Sequence, residues 1–284
     1  MRLAVLLTLA LLLGGADPLR AGTAAASSTA DVHSVSAQQF RNYDPRAEQR
    51  LLELTNLERE RVGASALQLD PGLSAAAREH AAAMAVRGEL SHQFTGEAPL
   101  QQRVAISSLH LDKAGENVAL DANVDQAHDG LMHSPHHREN LLRPDYNVVG
   151  LAVARVGSRI YVVEDFGHEM PTYPPQQAED LVSAAIVQSR GPAKAAQAKR
   201  VQVGSLRDAA CSMASRDKLD AHAVSGLGPL RYVLTFTSMQ PDQLAPAAAK
   251  AISDVNLRSY AVGACYAHTP TYPNGAYWVT VAFY

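Results

Sequence analysis

The stretch VVGLAVARVGSRIYVVEDFG, residues 148–167, constrains the fold most. Two runs rich in β-branched and aromatic residues flank Val156-Gly157-Ser158, so the stretch predicts a β-hairpin. The chain before it reads as helices. In DPRAEQRLLELTNLERERVG, Leu51, Leu54, Leu57 and Val62 recur at roughly helical spacing. Asp44 suits the cap, Pro45 the first position and Gly63 the stop. LQLDPGLSAAAREHAAAMAVRGEL then gives a short extended piece, a turn at Asp70-Pro71-Gly72 and a second helix whose alanines allow close packing. A short helical stretch follows near Arg103, then the GENVAL segment, and DANVDQAHDGLMH is a third helix. At Ser134-Pro135 the helix restarts, with Ser134 as N-cap. Helices ending in a hairpin predict an α+β layer with helices lying on a sheet. PTYPPQ, residues 171–176, reads as a linker.

The first residues read differently again. Arg2 precedes an apolar run, Leu3 to Leu13, too short to span a bilayer and suited to a signal peptide over residues 1–21. No cysteine closes that run, so a lipid-anchored form is not expected. Residues 22–44, rich in Ala, Ser, Thr and Gln, read as a flexible linker. The expected protein is secreted or periplasmic, with no transmembrane segment once mature. Its 25 basic and 28 acidic residues form no basic block, which argues against a nucleic-acid partner.

The segment HSPHHRENLL, residues 133–142, carries three histidines. His133 and His137 are four apart, like a helical zinc pair, but Pro135 interrupts any helix joining them. His133 and His136 therefore read as surface residues. His80 and Met84, on the alanine-rich helix, read as packing residues. Ser91-His92 is a poor nucleophile–base pair, because adjacent side chains point apart and no acid is assigned to orient the ring.

Taken in order, Asn56 and Arg59, HAAAMA, LSH at 90–92, GENVA at 115–119, SPHHRENLL at 134–142, YNVVGLAVA at 146–154 and YVVEDFG at 161–167 resemble the CAP superfamily. That superfamily comprises cysteine-rich secretory proteins, antigen 5 and pathogenesis-related proteins, here with a bacterial SCP-like pattern. The resemblance implies a three-layer α-β-α sandwich over residues 45–172, with a polar cleft. In eukaryotic members the cleft holds two His and two Glu. By motif these are His92, Glu116 and His137 here. The second Glu has no match, because the corresponding helix end reads Leu131-Met132-His133-Ser134. Ser134, Asn117, Arg138 and Asn140 complete the expected cleft, with Arg138 and Asn140 expected to bind backbone or carboxylate groups.

Two neutral imidazoles and a carboxylate suit zinc or another divalent cation, so His92 and His137, with Glu116, form the candidate metal set. The alternative is a hydrogen-bonded polar cluster that fixes the loops. Three functions stay open: a secreted binding protein for a metal, lipid, sterol or cell-envelope component; a metal-dependent hydrolase or peptidase with Glu116 as base; or an envelope interaction protein with a vestigial cleft. The fold itself does not choose. The missing carboxylate and the lack of a nucleophile–base pair favour binding over catalysis.

Residues 173–284 echo the first part. REHAAAMAVRGEL at 78–90 can be laid on RDAACSMASRDKL at 207–219, VVGLAVA at 148–154 on AVGACYA at 261–267, and VVEDF at 162–166 on VTVAF at 279–283. AEQRLLELTNLERERVG is likewise echoed by AEDLVSAAIVQSRG at 178–191. The order predicts a degenerate CAP-like α+β domain that packs with the first as a pseudo-dimer; the alternative is an unrelated α+β domain. No GEN or SPxHRxN recurs, Ala221 stands at the position of His92, and Val281 and Ala282 stand at those of Glu164 and Asp165. Cys211 on the helix and Cys265 on the strand are expected to face each other and form a disulfide in an oxidising compartment.

Overall fold

The computed structural model describes residues 40, 42–191, 198–224 and 226–284. The expected signal peptide and most of the expected 22–44 linker lie outside the described residues. Helix α1 spans Pro45–Arg61, with the Asp44 side chain accepting from the Ala47 amide as its N-cap. Its buried stripe is Glu48, Leu51, Thr55 and Arg59, whereas Leu57 and Val62 of the expected stripe are exposed. Spacing located the helix and part of its buried face, Leu51 buried and Leu54 half-buried, but missed the rest, because three of the four buried side chains are polar and find partners inside. Arg59 is fully buried and donates to the carbonyls of Ser65, Leu141, Arg143 and Tyr146 at 2.7–2.9 Å. Each bond satisfies a buried group, which is what makes an interior guanidinium tolerable.

After β1 (Gln68–Leu69) come α2 (Pro71–Arg87), capped by Asp70, and α3 (Leu100–Arg103). They are followed by β2 (Leu111–Asp121), α4 (Val124–His133), α5 (Pro135–Leu142), β3 (Val148–Val156) and β4 (Arg159–Glu169). The hairpin forms as expected, with Gly157 at φ +58 in its turn. Strand order is β1-β3-β4-β2, with β1 parallel to β3 and the rest antiparallel.

Alternation along the strands feeds two cores. Leu151, Val153, Ile160, Val162 and Phe166 pack with Leu51 of α1, Leu131 of α4 and Leu141 of α5. Ala152, Ala154, Tyr161 and Val163 face the other way, onto Ala77, Ala81 and Met84 of α2. The first sheet therefore lies between two helical layers. The alanines let α2 approach closely. A Cβ on Gly150 would lie 2.1 Å from the Leu73 carbonyl carbon.

The second half supplies α6 (Pro175–Arg190), β5 (Lys199–Arg200), α7 (Gly204–Ser215), β6 (Tyr232–Ser238), α8 (Ala248–Ser253), β7 (Ser259–Ala267) and β8 (Ala276–Phe283). Helix α6 begins at Pro175, so the expected linker shortens to the residues before it. Strand order is β5-β7-β8-β6, with the same parallel and antiparallel pairings as the first sheet. Arg190 donates to the carbonyls of Ile252 and Asp254, as Arg59 does to those of Leu141 and Arg143. A Cβ on Gly263 would lie 2.2 Å from the Leu206 carbonyl carbon, the counterpart of the Gly150–Leu73 contact.

These contacts correct two of the sequence alignments. Gly263 against Leu206 sets α7 on α2 so that Met213 falls at His80 and Cys211 at Arg78, one helical turn from the sequence match. Gly150 pairs with Asp165 and Gly263 with Thr280, so Glu164 and Asp165 correspond to Val279 and Thr280 rather than Val281 and Ala282. Cys211 and Cys265 form a disulfide that ties α7 to β7, with Cα atoms 5.1 Å apart.

Candidate functional site

The residues expected to form the cleft gather at the β2 edge of the first sheet. Cross-strand pairing sets Glu116 beside Asp165 on the α2 face and Asn117 beside Glu164 on the α1 face. Gly115 allows the close approach, because a Cβ there would lie 2.4 Å from the Tyr146 hydroxyl and 3.2 Å from Asn140.

Glu116 is buried and both its oxygens are engaged. Oε1 lies 2.9 Å from His92 Nδ1, and Oε2 accepts from Arg103 Nη2 at 2.7 Å. Arg103 Nη2 also donates to the His92 carbonyl at 3.1 Å. Behind them His80, expected to be a packing residue, is fully buried in a polar network. Its ring nitrogens face Glu97 Oε1 at 2.6 Å and the Ser91 carbonyl at 2.8 Å, and Nε2 stands 3.8 Å from Glu116 Oε2. An alanine-rich helix gives no sign of this, since the partners Ser91, Glu97 and Glu116 come from loops and a strand downstream.

On the other face, Asn117 Nδ2 donates to the His137 carbonyl at 3.1 Å and to Glu164 Oε2 at 3.0 Å. Asn140 donates to the Glu116 carbonyl and to Asn117 Oδ1, a backbone bond of the expected kind. Arg138 departs from expectation. It is exposed on α5 and pairs with no carboxylate among the described residues. Ser134 holds the N-cap position of α5 without a side-chain capping bond. His133 and His136 are exposed.

His92 is 58 % exposed at its side chain, and its ring centroid lies 6.3 Å from that of the half-buried His137. The hydrogen bond to Glu116 raises the His92 pKa above the usual histidine value. Burial lowers that of His137, helped by the charges of His92 and His136, so His137 is neutral at pH 7. The structure brings His92, Glu116 and His137 to one face. Even so, among the described residues no three His, Cys, Asp or Glu side chains are placed to hold one ion. Glu116 sits on the Nδ1 side of His92, so the three-ligand set expected from the motifs reduces to two imidazoles.

Two further carboxyls were not singled out for the cleft. Asp165 is fully buried, and its pKa is pushed well above the ordinary range by burial first and then by the charge of Glu116. Burial likewise raises Glu164 to about 7, against hydrogen bonds from Asn117 and Thr55. Their signal in the sequence was a charged pair inside an otherwise apolar strand, flanked by Val162, Val163 and Phe166.

The comparisons with known proteins concern the first half of the chain. Residues 52–166 match the model of CAP, the cysteine-rich secretory protein family. The Bacillus subtilis (strain 168) protein YkwD, uncharacterized, is 30% identical over 112 residues, covering 39% of this chain and 44% of that protein. YlbC, an uncharacterized membrane protein of the same organism, is 28% identical over 123 residues, covering 43% and 36%. The chain thus spans less than half the length of both curated relatives. Among solved structures, an extracellular protein containing an SCP domain from Bacillus anthracis (strain Ames) is 24% identical with a TM-score of 0.41, over 44% of this chain and 41% of that one.

Proposed function

We propose that this CAP domain is a binding module whose ligand face is the His92–His137 pair, taking a divalent cation such as zinc and, through it or beside it, a cell-envelope component. The observation that carries the reading is the Glu116–His92 contact. A carboxylate on Nδ1 fixes the ring and leaves Nε2 free, the arrangement that orients metal-ligating histidines. Neutral His137 supplies a second imidazole in reach. Water or the ligand would complete the coordination. The face around His92, His137 and Asn140 is polar, so a ligand bearing carboxylates or hydroxyls fits it better than a lipid or sterol.

Hydrolysis is the less favoured reading. Both Glu116 oxygens are engaged, so the carboxylate expected as the base is not free to activate water. Residues 173–284 are read as a degenerate CAP-like domain that has kept the scaffold and lost the chemistry. Its strand order, its arginine clamp and its helix–glycine contact support this. Met213, Thr235, Phe236, Val279 and Thr280 stand where the first half has His80, Glu116, Asn117, Glu164 and Asp165. Export is supported by the apolar Leu3–Leu13 run and by the disulfide. Among the described residues no helix is long and apolar enough to cross a membrane.

Calorimetric titration with zinc tests the site. One ion per chain is expected, lost in both His92→Ala and His137→Ala. Both rings must be neutral to bind, and His92 is the more basic, so affinity should fall as pH drops through its raised pKa. Zinc binding unchanged in both variants would contradict the reading.

A further inference from the structure

The second half touches the first where the cleft is built. Asn274, in the loop between β7 and β8, donates from Nδ2 to the Gln101 carbonyl of α3 at 3.0 Å, and its own carbonyl accepts from the Leu111 amide at the start of β2 at 3.3 Å. Helix α3 carries Arg103 and strand β2 carries Glu116, which meet at 2.7 Å. One residue of the second half thus pins both segments whose side chains hold His92.

That residue sits in a braced loop. Asp217, at the end of α7, accepts from the Thr269 hydroxyl and from the Thr271 amide and hydroxyl at 2.7–2.8 Å. His268 Nδ1 faces the Pro273 carbonyl at 2.9 Å, and the Gly275 amide donates to Tyr272 at 3.0 Å. Gly275 has φ +85 and passes so close to Tyr266 that a Cβ would lie 1.9 Å from its hydroxyl. The disulfide holds α7, the source of Asp217, against β7. With so many partners of its own, the loop presents Asn274 in one place.

The geometry points to Asn274 as a positioning residue for the cleft: by tying α3 to the start of β2, the second half sets the Arg103–Glu116 pair that orients the His92 ring. The inference rests on the reading of His92 and His137 as the ligand face. It gives the half without cleft chemistry a task, that of a rigid brace for the half that has it. The readout is the tautomer of His92. A carboxylate on Nδ1 requires the Nδ1–H form when the ring is neutral, whereas a free imidazole in water favours Nε2–H.

The experiment records long-range proton–nitrogen spectra of the histidine rings in the full chain above pH 8, for the wild type and for Asn274→Ala and Asn274→Asp. Both variants remove the Nδ2 donor, and the aspartate keeps the shape of the side chain. Gln240→Ala is the control, because Gln240 reaches Met170 across the same junction without touching α3 or β2. The expected result is an Nδ1–H His92 in the wild type and the control, and a shift towards Nε2–H in both Asn274 variants, with exposed His133 unchanged. An unshifted His92 in the Asn274 variants, an equal shift in the control, or an Nε2–H ring in the wild type would overturn the inference. Zinc binding is scored separately. A wild type that binds no zinc would end the ligand reading, while the tautomer would still decide the role of Asn274.

Discussion

At the scale of single residues, the site turns on two neighbouring carboxyl groups. Glu116 is bonded to His92 and Arg103, while burial, and then the charge of Glu116, pushes the Asp165 carboxyl well above its ordinary range. Glu116→Gln should therefore return the His92 pKa towards the ordinary value and weaken zinc binding about 10-fold, readable by proton NMR and calorimetry. Glu164 gives a stability test. Its folded pKa of about 7 lies above the unfolded value, so the folded state binds more protons between pH 4.5 and 7 and stability falls as pH rises through that window. Glu164→Gln should remove this dependence, because its amide can accept from Asn117 and donate to Thr55. The variant should gain up to about 3 kcal/mol over the wild type above pH 7 in urea melts. An identical pH profile in both proteins would refute the assignment. His92, Glu116 and His137 were legible because motif order marks them. His80 and Arg103 were not, because their roles come from partners distant in sequence.

At the scale of elements, caps and turns were the most legible features. Asp44-Pro45 begins α1 as read, because a cap is a local interaction, whereas Asp70-Pro71, read as a turn, is the cap and first position of α2. Register was the least legible. The helix echo was out by four residues and the strand echo by two, close to one helical turn and equal to one strand period. Such slips keep the same residues facing the core, so composition alone does not reveal them. The contacts that do fix register are Gly150 against Leu73 and Gly263 against Leu206. Gly150→Ala and Gly263→Ala should each force a helix off its sheet and cost about 3 kcal/mol in chemical denaturation. A loss below 0.5 kcal/mol in both would show that the assigned helix–sheet contact is wrong.

At the scale of the molecule, two halves share one strand order, and the proposed ligand face lies in the first. The disulfide closes a sequence separation of 54 in the second, for which chain entropy gives about 4 kcal/mol of stabilisation. Denatured, unreduced protein produced under oxidising conditions should therefore show no reactive thiol, and two per chain would refute the bridge. The central claim, that two imidazoles form the ligand face while Glu116 orients one of them, meets its most direct test in an anomalous-scattering map from zinc-soaked crystals. One peak is expected between His92 Nε2 and His137, with Glu116 still on His92 Nδ1. A peak coordinated by Glu116 itself, or none within reach of both rings, would contradict it.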